Sequence, residues 1–206
     1  MDSRKRILVI SSKRPFPVQD GASIRTSQMI RMLSQIFEVD LVYTCNPYKT
    51  FADLTELRCF CRQISEFLEP KWKCVLRALL GFFKSRPLQC SYFYSPRMMS
   101  YIQEHLSLYD YVFCNNIRTV PYVDGSKCNK IIDYVDAISM NYIGASLKAN
   151  WIWRLVYKFE ANRLISYENK VLKSFDKFII ISDVDRQFIL RHADLEISNK
   201  HIEVIG

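Results

Sequence analysis

Three observations predict an α/β chain with a doubly wound, mainly parallel sheet. Short apolar runs alternate with longer amphipathic segments along nearly the whole sequence. Most runs are apolar at consecutive rather than alternate positions, as strands covered on both faces are. Hydrophobic residues make up 49% of 206 residues, so a real core can form, in one substantial domain or two small ones.

The elements follow in order. RILVIS (Arg6–Ser11) reads as a buried strand. Ala22 to Phe37 reads as a helix, with Met29, Ile30, Leu33, Ile36 and Phe37 on one side. EVDLVYT (Glu38–Thr44) is a second strand. A short helix from about Phe51 to Phe60 leads to a weaker strand, QISEFL (Gln63–Leu68). Two helical segments follow, Trp72–Phe83 and Pro96–His105. The strands Tyr109–Asn115 and Lys130–Asp136 come next, then a long helix ending near Ser174. The strand Asp176–Ser182, a helix from Asp183 to about Arg191 and the strand His201–Ile205 close the series. Helices between parallel strands imply right-handed crossovers. Ligands in such folds sit beyond the carboxyl ends of the strands. Four groups lie there: Ser12–Arg25, Asn115–Arg118, Asp133–Ser139 and Ser182–Asp185.

Composition narrows the classes. Five glycines and seven prolines argue against repeats and low-complexity linkers. The first apolar run is too short for a signal peptide, and no run approaches a membrane span. Seven cysteines form no CxxC pair, and the three histidines have no ligand spacing. No metal site is therefore expected, and the cysteines read as thiols of a reducing cytoplasm, several of them core filler. A net charge of +8 points to an anionic partner: nucleic acid, a membrane surface or a phosphorylated small molecule.

The loop after the first strand, SKRPFPVQDGASIR, carries two prolines that stiffen it and one glycine. Gly21 permits a close backbone approach. The helix N-terminus that follows offers N–H groups and partial positive charge, and Arg25, about one turn in, can reach the same anion with a bidentate fork. The alternative is a plain strand-to-helix turn with a solvated arginine.

ILVISSKRPFPVQDGASIRTSQMIRML resembles the start of the family 4 type glycosyltransferases, where a strand leads to a loop of the form P.P..GG or P.P..GD.IR and then a helix. KFEANRLISYENKVLKSFDKFIIISDVDRQFI is similar to that family's long helix with its glutamate, followed by a strand that opens on Asp and ends on Ser. IEVIG matches the strand before an NGVD-like motif, and IIDYVDAIS is similar to the lDfVD..S of a subgroup serving bacterial exopolysaccharide assembly. The resemblance implies the N-terminal, acceptor-binding Rossmann-like domain (residues 1–206) of a GT-B fold, with the C-terminal donor-binding domain absent from this chain. It also implies a nucleotide-sugar donor, a saccharide acceptor carried on a lipid, a cytoplasmic enzyme at the inner face of the membrane, and no bound metal or cofactor. A monomer is expected.

Carried over by position, Gly21 matches the glycine that approaches the donor diphosphate, with Ala22 where relatives often have a second glycine. Arg25 matches the arginine of the IR variant, in phosphate or acceptor binding. Where many relatives place a histidine after the strand, this chain has Asp133 or Asp136. Asp136 is the chosen catalytic candidate, orienting a sugar hydroxyl or acting as a base; the alternative is an N-cap for the next helix. For Ser182 and Asp183 capping is the preferred reading. Glu160, Arg163 and Glu168 read as structural or surface charges, with Glu160 and Arg163 paired at i,i+3.

From Lys71 to Gln103 no residue is acidic and six are basic: Lys71, Lys73, Arg77, Lys84, Arg86 and Arg97. Trp72, Val75, Leu76, Leu79, Leu80 and Phe83 recur at helical spacing beside a stripe of Lys73, Arg77 and Lys84. The apolar stripe fits core packing; the basic flank fits an anionic membrane surface. A non-enzymatic basic α/β module that binds nucleic acid is the competing class, but no recognition helix, RNP-like strand or zinc spacing supports it, so no nucleic acid is expected.

Overall fold

A computed structural model describes residues 4–17, 20–47, 54–83, 86–197 and 199–206. Its strands are β1 (Arg6–Ser11), β2 (Glu38–Cys45), β3 (Gln63–Leu68), β4 (Tyr111–Asn115), β5 (Asn129–Asp133), β6 (Lys177–Ile180) and β7 (Glu203–Val204). They form one sheet in the order β3-β2-β1-β4-β5-β6-β7, and every pairing is parallel. The expected α/β, doubly wound, Rossmann-like sheet is therefore present, and it is wholly rather than mainly parallel.

The apolar runs are explained by two cores. Along β1, Ile7 and Val9 face one cluster with Met29, Ile30 and Leu57, while Leu8 and Ile10 face the other with Met98, Ile102, Leu164 and Val171. Alternate side chains point to opposite faces, so a strand buried on both must be apolar throughout. The first face is covered by α1 (Gly21–Ser34) and α2 (Thr55–Arg58); the second by α5 (Pro96–His105), α7 (Trp151–Ser174) and α8 (Asp183–Arg191). Between them in sequence come α3 (Lys71–Gly81), α4 (Leu88–Tyr92) and α6 (Ile138–Lys148).

Some expectations are corrected. The long helix before Ser174 is two helices: Ala149 is extended, and Asn150 accepts the Trp153 N–H at 3.1 Å to start α7 afresh. The strand expected to reach Asp136 stops at Asp133, because Val135 has φ of 67°, a left-handed conformation that breaks the ladder and that β-branched residues rarely adopt. Helix α1 ends at Ser34, which leaves Ile36 exposed beyond it. The short helix expected from about Phe51 to Phe60 spans Thr55–Arg58, with Leu54 at its N-cap; residues 51–53 lie outside the described residues. Helix α4 has no counterpart among the expected elements, because at five residues it is too short to show a period.

Candidate functional site

All strand carboxyl ends lie at one edge of the sheet, and the chain runs away from β1 in one direction and from β4 in the other. The crevice between β1 and β4 is thus the switch point where such folds bind ligands. Ser11 and Asn115 end these strands side by side. The Asn115 carboxamide donates to Thr26 Oγ1 at 2.6 Å, and its buried Oδ1 has no partner among the described residues. Asn116, next along, has φ of 67°; its side chain accepts the Arg118 N–H at 3.0 Å. Backbone strain at Asn116 and Val135 falls at the two strand ends that border the site, where over-determined packing can hold it.

The opening loop brings Arg25 to this edge, but its charge is already matched. Arg25 is 8% exposed. Nε and Nη2 donate to the two oxygens of Asp133 at 2.6 and 3.0 Å, and Nη1 donates to the Ile205 carbonyl at 2.5 Å. The anion beside Arg25 is therefore Asp133, and the arginine is not the solvated one of a plain turn. The N-terminus of α1 also has its own anion: Asp20 accepts the Ser23 N–H at 2.8 Å in a capping box, and Lys13 donates to it at 2.6 Å. These contacts lower the Asp20 carboxyl to about 2, the Lys13 hydrogen bond first among them. Gly21 is exposed, and a Cβ built on it would meet nothing within 4 Å.

A second group gathers beyond β4, β5 and β6. Asp136 is half-buried and accepts from the Asn141 carboxamide at 2.6 Å. Burial raises its carboxyl above the usual range, with Arg118 and the Asn141 bond pulling back. It is not the cap of α6: that position is Ala137, which has no side chain to serve. The free N–H groups of α6 are met from other helices instead. Asp185 on α8 accepts the Ala137 N–H at 2.9 Å, and Glu168 on α7 accepts from Ser139 N–H and Oγ at 3.3 and 2.6 Å. Burial pushes the Glu168 carboxyl up to about 7. Ser182 caps α8 through the Asp185 N–H at 3.1 Å, and Asp183 pairs with Arg186 and Gln187 on the same helix.

Arg118 is the residue that sequence reasoning passed over. It stood within a strand-end group, but nothing in the local pattern distinguishes it. In the structure its Nε donates to Gln89 Oε1 at 2.7 Å, its guanidinium lies 4.7 Å over the Phe93 ring, and Gln89 in turn donates to the Tyr142 hydroxyl at 2.9 Å. Burial lowers its pKa, and Asp136 is the foremost group acting against that. The result is a half-buried cation, carboxylate, amide and phenol at one edge, a set that can hold a polyhydroxyl or anionic ligand and take up a proton.

Glu160 and Arg163 are paired at 3.2 Å as expected, with Glu160 buried and Arg163 partly buried, the structural rather than the surface alternative. Glu160 also accepts the Leu88 N–H, and Arg163 donates to the Gly81 carbonyl at 3.0 Å. The basic stripe is only partly as expected. Lys73 is exposed. Arg77 turns back to Glu69 at 2.7 Å because that carboxylate lies just before the helix. Lys84 lies outside the described residues. Among the described residues no three His, Cys, Asp or Glu side chains gather as a metal site, and no helix is long and apolar enough to cross a membrane.

Comparison with known protein families and with curated proteins finds no match to this chain.

Proposed function

We propose that this chain is the N-terminal, acceptor-binding half of a GT-B glycosyltransferase of the family 4 type. It would move a sugar from a nucleotide-sugar donor to a lipid-linked saccharide in surface polysaccharide synthesis, at the cytoplasmic face of the membrane. The observation that carries the reading is the hydrogen-bonded chain Arg118–Gln89–Tyr142 beyond the carboxyl end of β4, with the half-buried Asp136, held by Asn141, close enough for Arg118 to act on its charge. In support stand the motif resemblances, which occur in chain order along almost the whole sequence.

In this reading Asp136 orients the acceptor hydroxyl or takes its proton, and its raised pKa suits a base. Arg118 and Gln89 hold neighbouring oxygens of the acceptor. The Gly21 backbone faces the donor diphosphate. Arg25 acts on the site only through Asp133, which it holds at the end of β5. No metal or other cofactor is required.

The test uses the native-length protein with labelled nucleotide sugars and membranes that carry lipid-linked saccharides. Sugar should pass into the lipid-extractable fraction. Asp136→Asn should lower turnover while thermal stability holds. Gly21→Val should weaken donor use with little effect on folding, since no atom of the chain fills the space beside Gly21. Absence of transfer from every nucleotide sugar tried would overturn the proposal.

A further inference from the structure

The apolar stripe of α3 does not pack on the core. Trp72, Leu79, Leu80 and Phe83 are 63%, 65%, 56% and 89% exposed. The α6–α7 hairpin continues the same surface. Phe82 meets Phe159 of α7 at 5.3 Å between ring centroids, and residues Trp151 to Leu155 are all exposed in succession. A helix exposed on every side over its first turns projects beyond the body of the domain. An apolar pocket of about 480 Å³, lined by Val75, Leu79, Phe82, Phe83, Leu88 and Tyr92, opens on this surface. Isolated exposed apolar residues are ordinary; a contiguous patch on two helices is not.

Two further observations identify the occupant. The chain has three tryptophans, and all of them, Trp72, Trp151 and Trp153, lie here, 63%, 73% and 54% exposed. Indole rings favour the boundary between lipid headgroups and hydrocarbon. The charge also has one sign. Residues 71–103 contain no acid, and neither do residues 137–159, which form α6 and the start of α7. Lys71, Lys73, Lys148, Arg154 and Lys158 are exposed there. Two copies meeting through this face would set like charges together, whereas an anionic bilayer matches both the apolar ridge and its basic flanks.

We propose that the α3 face and the tip of the α6–α7 hairpin form an insertion surface that seats the protein on an anionic lipid bilayer. The surface reaches the candidate site directly. Leu88, at the pocket, precedes Gln89, which binds Arg118 and Tyr142. Tyr142 stands edge-on to Tyr157 at 5.7 Å, and Tyr157 neighbours Trp153. A lipid-borne substrate could keep its chain at the pocket and its polar head at Asp136, so the inference deepens the membrane side of the proposed function. Binding is measured without donor or acceptor, which keeps the two proposals separable.

The experiment is co-sedimentation of the 206-residue chain with phosphatidylcholine vesicles, with and without phosphatidylglycerol, alongside tryptophan emission. Binding and a blue shift are expected with the anionic vesicles alone. Leu79→Glu with Trp153→Glu, both at exposed positions, should weaken partitioning roughly tenfold or more, as should Lys71→Glu with Lys73→Glu. Ile36→Glu, exposed elsewhere, should change nothing. Binding that survives Leu79→Glu and Trp153→Glu without a blue shift would reduce the surface to electrostatic adhesion and overturn insertion. A blue shift that needs no vesicles and follows protein concentration would assign the face to a second copy.

Discussion

Arg25 and Asp133 show how a single pair constrains this fold. Asp133 is fully buried, and its two oxygens are held by one guanidinium. Removing the cation leaves a buried carboxylate uncompensated, which costs about 3–5 kcal/mol. Arg25→Met should therefore lower stability by that order in urea titration; a change below about 1 kcal/mol would show that water reaches Asp133 freely. Glu168 makes a pH-dependent contribution of the opposite kind. Its carboxyl is raised from the ordinary 4.5 to about 7, so the folded state holds its proton more tightly than the unfolded state. The associated stability is fully present below pH 4.5 and is lost as pH rises through about 7. Its size is on the order of 3 kcal/mol. Glu168→Gln should flatten that segment of the stability–pH curve while still accepting from Ser139. An unchanged curve would mean that Glu168 is ionised throughout.

At the scale of elements, the device that recurs is a helix end secured by another helix. Helix α6 begins without a capping side chain and relies on Asp185 of α8 and Glu168 of α7. Helix α4 begins at Leu88, whose N–H is taken by Glu160 of α7. The end of α3 is fixed by Arg163 through the Gly81 carbonyl, and Gly81 itself allows the close packing of α3 on α4. A Cβ there would overlap the Ser91 side chain. Gly81→Ala should therefore destabilise by roughly 1–3 kcal/mol, although alanine is the better helix former. Calorimetry decides between these effects: a raised Tm would show that α4 shifts freely. If it shifts, Gln89 moves with it, and Arg118 loses its partner.

Across the whole molecule the sheet grades from a rigid centre to weak edges. Both faces of β1 are buried and it is paired on both sides, as is β4, while β7 has two exposed residues and a single neighbour. Hydrogen exchange should show the slowest amides in β1 and β4, near the global limit, and far faster exchange in β7. Equal protection would contradict that gradient. The site occupies the carboxyl edge of the rigid centre, whereas the exposed apolar surface lies on α3 and the projecting hairpin. The rigid elements hold Asp133 and Asn115 in place, and the peripheral ones supply the exposed apolar side chains.

The sequence by itself determined the succession of strands and helices along the chain, the covering of both sheet faces and the edge where polar side chains converge, while the order of strands within the sheet came from the structure. These are local signals: a strand buried on two faces must be apolar at every position, and Ile7–Ile10 shows it without reference to anything distant. The capping of α8 by Ser182 and the pairing of Glu160 with Arg163 were legible for the same reason, since three or four residues separate the partners. Tertiary structure decided the rest. Arg25 and Asp133 are 108 residues apart, and no local pattern tells an arginine whether its anion is a ligand or its own chain. Asp136 had the residue type and position of a cap, but with the turn at Val135 the cap position falls on Ala137, and Asp136 accepts from Asn141 instead. The stripe on α3 has one period whether it meets a core or a lipid surface. Only the position of the neighbouring helices left it uncovered.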